Sequence, residues 1–178
     1  GCNDRRESET KALKAFDPAV TQLDPSDIAD DRHTLESVPT KPRTEDDPVA
    51  AELSTSQTSA AVGEGFELSV VLRIAPGYEI HSSDVSAPLI PTLLKLELPP
   101  GFTAIEKWES PIPVRSIRPD GGSVYFGEAK IIRKIHISNE TEPGDYLLAC
   151  SVSYQACNSR QCLRPAESVL SITMSVSP

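Results

Sequence analysis

The sequence lacks several features that would assign it to a common functional class. No segment concentrates lysine and arginine, and the net charge is −9, which argues against nucleic-acid binding. No apolar run approaches the ~18–20 residues that a membrane-spanning helix needs. Neither Gly-x-Ser-x-Gly nor Cys-x-x-Cys occurs, so a hydrolase nucleophile elbow and the usual thioredoxin motif are both missing. These absences leave the four cysteines as the candidate reactive groups.

Aromatic residues are almost missing from the first part of the chain. Phe16 is the one aromatic residue before Phe66, and acidic residues outnumber basic ones over this stretch. Such a segment has little bulky apolar surface to offset the entropy lost on ordering. We therefore predict that residues 1–53 form a polar, disordered leader or tether, with a short helical turn near residues 11–16. Residues 54–178 are predicted to form the folded domain.

Short alternating runs dominate the rest of the chain. Residues 66–74 alternate apolar and polar side chains and stop at Ala-Pro-Gly, and similar runs recur at 78–81, 93–98, 124–126, 131–137, 146–154 and 168–176. Strands at short intervals, with glycine and proline between them, are typical of an antiparallel sandwich or barrel. The sequence predicts an all-β fold, an immunoglobulin-like antiparallel β-sandwich.

Cys157 and Cys162 are separated by Asn-Ser-Arg-Gln, a plausible four-residue turn between strands. Such a turn can bring the two Cα atoms within the ~4.4–6.8 Å window of a disulfide. The closed loop would contribute about 2 kcal/mol, which is little for a structural disulfide. Arg160 and Arg164 flank the pair, and positive charge favours the thiolate. The spacing alone leaves a redox couple, a structural disulfide and half of a metal site as alternatives.

The metal alternative has few candidate ligands. Zinc needs four, and Cys150 with His81 or His136 would have to complete the set. Cys150 lies in an apolar run, where a buried free thiol is expected. Both histidines are expected on exposed faces of strands. We expect neither a metal nor a cofactor.

Cys2 precedes a long polar segment. This arrangement resembles the lipidated first residue of a mature bacterial lipoprotein, in which the leader would be a spacer from the membrane. The alternative is a cysteine with no special role.

Four segments resemble one family when they are taken together. They are Tyr-Gln-Ala-Cys (154–157) with Cys-Leu-Arg-Pro (162–165), Pro-Gly-Tyr-Glu-Ile-His (76–81), Pro-Pro-Gly-Phe (99–102) with Trp108 after it, and Tyr-Phe-Gly-Glu (125–128). Their types and order resemble the periplasmic N-terminal domain of the bacterial thiol:disulfide interchange protein DsbD. The resemblance covers about residues 60–176.

This resemblance implies an immunoglobulin-like domain that cycles between dithiol and disulfide in the periplasm or cell envelope. It implies an electron donor with a thioredoxin-like fold, which a membrane-embedded component recharges. The implied acceptors are oxidised periplasmic partners such as disulfide isomerases or proteins of cytochrome c biogenesis. The chain would thus be part of a protein-disulfide reductase system. The alternative is a lipid-anchored, non-enzymatic binding module whose disulfide is purely structural.

The resemblance also implies roles for single residues. Cys162 would form the mixed disulfide with partners, and Cys157 would resolve it. Tyr125 or Phe126 would cap the pair, although core packing is an equally good interpretation of either ring. The remaining implied neighbours are His81, Tyr154, Gln155 and Arg164. Arg164 stands where the family has a proline, which places a cation beside Cys162.

Overall fold

The computed structural model describes residues 40–178, and these form strands and no helix. None of the described residues therefore forms a helix long and apolar enough to cross a membrane. In chain order the strands are β1 (Thr40–Lys41), β2 (Val49–Thr55), β3 (Ser59–Ala61), β4 (Gly65–Ile74), β5 (Glu79–His81), β6 (Leu93–Glu97), β7 (Phe102–Glu109), β8 (Val114–Arg115), β9 (Ser123–Tyr125), β10 (Glu128–Ile137), β11 (Gly144–Tyr154), β12 (Ala156–Cys157) and β13 (Ala166–Ser177).

The strands form three sheets. The first sheet has the order β1-β2-β4-β10-β7, and the second has the order β3-β13-β11-β6. The third sheet, called sheet C below, has four short strands in the order β12-β5-β9-β8. Neighbouring strands are antiparallel, apart from β3, which runs parallel to β13. The predicted all-β sandwich is confirmed, and each run that was predicted as a strand forms one.

The core follows from the alternation of these strands. In β11 every second residue from Leu148 to Tyr154 is buried, because successive side chains point to opposite faces of a sheet. In β4 all five residues from Leu68 to Leu72 are buried, so this strand, which lies between β2 and β10, is covered on both faces there. Residues of all three sheets belong to one buried cluster.

The first described strands lie inside the segment that the sequence predicted as a leader. β2 pairs with β4 along its whole length, and Val49 and Leu53 are fully buried. The folded part therefore begins before residue 54. The sequence does not indicate this strand clearly, because its residues are mostly small and an acidic cluster precedes it. Its alternation nevertheless supplies one apolar face. The predicted leader over residues 1–39, with its helical turn near residues 11–16, lies outside the described residues.

A partly buried polar cluster fixes this N-terminal segment to the sandwich. The Tyr154 hydroxyl donates to the Asp47 carboxylate (3.0 and 2.9 Å) and accepts from Lys41 Nζ (2.7 Å). Lys41 also pairs with Asp47 and donates to the Val49 carbonyl. Burial, and next the hydrogen bond to Asp47 and its charge, raise the pKa of the Tyr154 phenol. Tyr154 thus joins the segment before β2 to the end of β11.

Tyr154→Phe is expected to lower the free energy of unfolding by about 1–2 kcal/mol, because it removes a hydroxyl that bonds to two charged side chains. Urea denaturation measures the change. The control is Tyr146→Phe, whose hydroxyl donates to the Glu142 carbonyl at an exposed site and should contribute less than about 1 kcal/mol. Equal effects of the two substitutions would contradict a stabilising role for this polar cluster.

Sheet C sits at one end of β11, because the chain passes from β11 through Gln155 directly into β12. Three paired residues of this sheet, Ile80, Tyr125 and Ala156, face the common core. The residues that alternate with them therefore lie on the other face of sheet C.

Candidate functional site

The two cysteines lie at the outer edge of sheet C. Cys157 ends β12, and Cys162 pairs with it as an isolated antiparallel bridge after the turn. The predicted four-residue turn is confirmed: Asn158 N donates to the Gln161 carbonyl (2.9 Å), and the Asn158 side chain accepts from Arg160 N and Gln161 N. Asparagine suits this position because its side chain can bond to the backbone two residues later.

Cys157 and Cys162 form a disulfide. Their Cα atoms are 3.9 Å apart, closer than the predicted window. The reason is the type of pairing. The flanking bonds, Asn158 N to Gln161 O and Leu163 N to Ala156 O, make the cysteines a non-hydrogen-bonded antiparallel pair, in which the strands approach most closely.

The two cysteines differ in exposure. Cys157 is fully buried, whereas Cys162 is exposed. Exchange begins when a thiolate approaches a disulfide sulfur, so access decides which cysteine a partner meets. Only Cys162 of this pair is open to a protein partner.

A buried carboxylate lies next to the disulfide on the inner side. Glu79 is directly opposite Cys157 in the ladder between β5 and β12, and it is 4% exposed. Its carboxylate accepts from the Ser116 hydroxyl and, at 3.4 Å, from Ile117 N. Opposite residues of an antiparallel pair share a face, so Cys162, Cys157 and Glu79 form a row across sheet C.

The loop after β8 contacts both Glu79 and the cysteine turn. Arg118 donates through its guanidinium to the Asn158 carbonyl (3.0 Å), and Arg118 N donates to the Ser116 hydroxyl (2.9 Å). The sequence did not single out Glu79, Ser116 or Arg118. Alternation places Glu79 and His81 on one face, but only the strand pairing shows that this face carries Cys157.

The two candidate capping rings have different surroundings. Tyr125 is 5% exposed and belongs to the core cluster, on the face of sheet C opposite to Cys157. It also lines a cleft of about 340 Å³ with Trp108 and Arg133. Phe126 follows the end of β9 and is 61% exposed. The structure brings Tyr125 into the core and leaves Phe126 at the surface.

His81 is buried, so the expectation of an exposed strand histidine was wrong. It is 2% exposed, and its Nδ1 lies 3.1 Å from the Ile90 carbonyl. A carbonyl can only accept, so Nδ1 carries the proton. The segment after β5 folds back over the strand, and both Thr92 N and the Thr92 hydroxyl donate to the His81 carbonyl. His81 lies on the same strand and face as Glu79.

The other residues predicted to neighbour the cysteine pair lie in different surroundings. Gln155 donates through Nε2 to the Leu163 carbonyl (2.9 Å) and so joins the two arms of the cysteine turn. Arg164 is exposed two residues after Cys162. Tyr154 is turned to the core, where it binds Asp47. Cys2 lies outside the described residues.

Cys150 is a buried free thiol, as expected from its apolar run. Burial raises the pKa of this thiol to about 12, which keeps it protonated near neutral pH. Within residues 40–178 no three or more His, Cys, Asp or Glu side chains are grouped so that they could hold a metal ion.

No family model and no curated protein matches the chain. Among solved structures, it is similar to the N-terminal periplasmic domain of ScsB from Proteus mirabilis, with a TM-score of 0.53 and 10% identity over 78% of this chain. What the two share is a fold. The similarity covers 54% of that chain, so this protein spans about half of the ScsB structure.

Two yeast domains give lower scores. The GAE domain of GGA2p from Saccharomyces cerevisiae has a TM-score of 0.44 and 11% identity, covering 78% of this chain and 97% of that one. The GAE domain of yeast GGA1 has a TM-score of 0.39 and 12% identity, with coverage of 75% and 97%.

Proposed function

We propose that this chain is a cell-envelope thiol:disulfide exchange domain. It relays electrons through a reversible Cys157–Cys162 disulfide, between a donor with a thioredoxin-like fold and oxidised periplasmic partners. The observation that carries the proposal is the asymmetric pair: a disulfide across a short turn, with an exposed Cys162 and a buried Cys157. The motif resemblance to the DsbD domain, and the fold shared with the periplasmic domain of ScsB, support it.

Each cysteine has one role in this proposal. A partner thiolate attacks Cys162 Sγ, a mixed disulfide forms, and Cys157 leaves as the free thiolate. In the opposite direction Cys162 attacks the partner and Cys157 resolves the mixed disulfide. Arg160 and Arg164 are exposed beside Cys162, and their positive charge favours its thiolate. Phe126, the exposed ring of the candidate pair, is the proposed cap between encounters.

The surroundings of the pair suit a protein partner. Ile117 and Phe126 are 73% and 61% exposed, and Ile117 N contacts the Glu79 carboxylate beneath the disulfide row. Exposed apolar side chains would favour docking of another protein surface at this face of the domain. The proposal includes a periplasmic location, recharging by a membrane-embedded component, and a lipid anchor at Cys2.

The reduction potential tests this proposal. The full chain is equilibrated in dithiothreitol and glutathione buffers, and the fraction of the Cys157–Cys162 disulfide is followed by thiol alkylation and mass spectrometry. We expect a potential above about −300 mV, in the range of catalytic couples, whereas structural disulfides of secreted proteins lie below it. A lower value would support the binding module with a structural disulfide.

Stability of the reduced protein is the control. Closing a six-residue loop contributes only about 2 kcal/mol, so the reduced sandwich should stay folded in near-UV circular dichroism. Unfolding on reduction would identify the disulfide as structural and contradict the exchange role.

A further inference from the structure

Glu79 is a buried carboxylate that the exchange steps above do not use. We propose that Glu79 is the proton acceptor and donor for Cys157 during exchange. This inference rests on the proposed function and adds a residue to it. The two side chains are paired directly across β5 and β12, and both are buried.

Cys157 has to change its protonation state although it is closed to solvent. As the resolving cysteine it must lose a proton before attack, and as the leaving group it must gain one. The residue is 0% exposed, so the proton passes through a neighbouring group. Directly opposite residues have Cβ atoms about 4.5–5.5 Å apart, which lets the carboxylate of Glu79 reach the thiol of Cys157.

The carboxylate is held in place and keeps capacity for a further bond. Ser116 and Ile117 each donate to one of its oxygens. An ionised carboxylate offers about four acceptor sites, so an S–H donor can be added without loss of these bonds. Arg118 ties the same loop to Asn158, the residue after Cys157, which keeps acid and thiol in register.

His81 and Arg118 are the two groups to compare with Glu79 as proton acceptors. The Nδ1 proton of His81 is donated to the Ile90 carbonyl, which leaves Nε2 as an acceptor. However, His81 lies two residues further along β5 from Glu79, the residue that pairs with Cys157. Arg118 is engaged with the Asn158 carbonyl and, as a guanidinium, cannot accept a proton. On β9 the residue paired with His81 is Val124, which does not titrate. Glu79 is therefore the group on this face best placed to accept the proton.

The resolving step conserves protons and electrons. The thiol of Cys157 gives its proton to Glu79, and the thiolate attacks Cys162 Sγ in the mixed disulfide. The Cys157–Cys162 bond forms, the bond from Cys162 to the partner sulfur breaks, and the electron pair leaves with the partner thiolate. Glu79 afterwards releases the proton to solvent. In the reverse step protonated Glu79 gives the proton to the departing Cys157.

The experiment uses 5,5′-dithiobis(2-nitrobenzoate) as the disulfide probe, so that no protein partner is needed. In stopped flow the reduced full chain, with Cys2→Ser to silence that thiol, releases two thionitrobenzoate ions in sequence. The first release reports attack by Cys162, and the second reports resolution by Cys157. Glu79→Gln is expected to leave the first rate within about twofold and to slow the second about 100-fold, the size typical of general acid–base catalysis.

The matched control is Glu128→Gln, which neutralises an exposed carboxylate on β10 and should change neither rate. Glu79→Asp keeps the carboxylate and is expected to restore part of the second rate. Equal slowing of both rates in Glu79→Gln, or no slowing, would overturn the inference, and so would selective slowing of the second rate by His81→Gln instead. Because this probe is a small molecule, such a failure leaves the electron-carrier proposal to be judged by its reduction potential.

Discussion

Cys162→Ser is expected to reduce exchange with thioredoxin-fold proteins to the uncatalysed background, because it removes the exposed sulfur of the pair. Cys157→Ser should behave differently. It keeps the attacking sulfur but lacks the resolving one, so the mixed disulfide should accumulate as a covalent adduct. The measurement is a time course on non-reducing gels, after acid quenching, with an oxidised thioredoxin-fold protein as the probe.

The double variant Cys157→Ser, Cys162→Ser is the matched control, since it retains Cys2 and Cys150. Any adduct that it forms measures those two thiols alone. Burial raises the pKa of the Cys150 thiol to about 12, so Cys150 should contribute nothing in the folded protein. Accumulation in Cys162→Ser instead of Cys157→Ser would reverse the assigned roles, and an adduct in neither variant would contradict the carrier function.

This prediction depends on the difference in exposure between the two cysteines, which could not be predicted from the sequence. Cys157 and Cys162 lie on either side of a turn whose residues are typical, and the turn itself was predicted correctly. Which cysteine is buried depends on the other side of sheet C. β5 covers Cys157 from a position 78 residues earlier in the chain, whereas nothing pairs outside Cys162 in the described sheet.

Non-local contacts also explain the error at His81 and the omission of Glu79. Alternation shows that these two residues share a face, but it does not show what covers that face. The segment that carries Ile90 and Thr92 folds back onto β5 and buries His81. A loop from the other edge of sheet C brings Ser116 to Glu79. Neither loop has a periodic pattern that would predict its path.

Several strands were not predicted from the sequence, for identifiable reasons. β7 pairs with β10 out of regular register, with a shift between Ile132 and Lys134, and Glu106 in this strand has a φ of 62°. A β-bulge of this kind interrupts the period of two on which strand prediction depends. β8 and β12 have two residues each, too few to show any period. The long regular strands β4, β10, β11 and β13 were all predicted.

β2 was not predicted because its residues are mostly small and follow an acidic cluster. Its contribution to the stability of the fold can be measured. Leu53→Ala is expected to lower the free energy of unfolding by about 2–5 kcal/mol, the cost of a large-to-small change in a close-packed core. Leu53 is 0% exposed and pairs with Val70 of β4, in the middle of the first sheet. It is also the last residue of the predicted leader. Urea denaturation followed by tryptophan fluorescence gives the change from the shift in midpoint.

Leu147→Ala is the matched control, because it makes the same substitution at a strand position that is 62% exposed. It should change the free energy of unfolding by no more than about 0.5 kcal/mol. A loss below about 1 kcal/mol for Leu53→Ala would mean that β2 lies outside the cooperative core, and the leader would then extend to residue 53 as its composition suggests. A loss in the expected range places residues 49–55 in the domain, because a tether can lose a leucine side chain without any change in the stability of the fold that it carries.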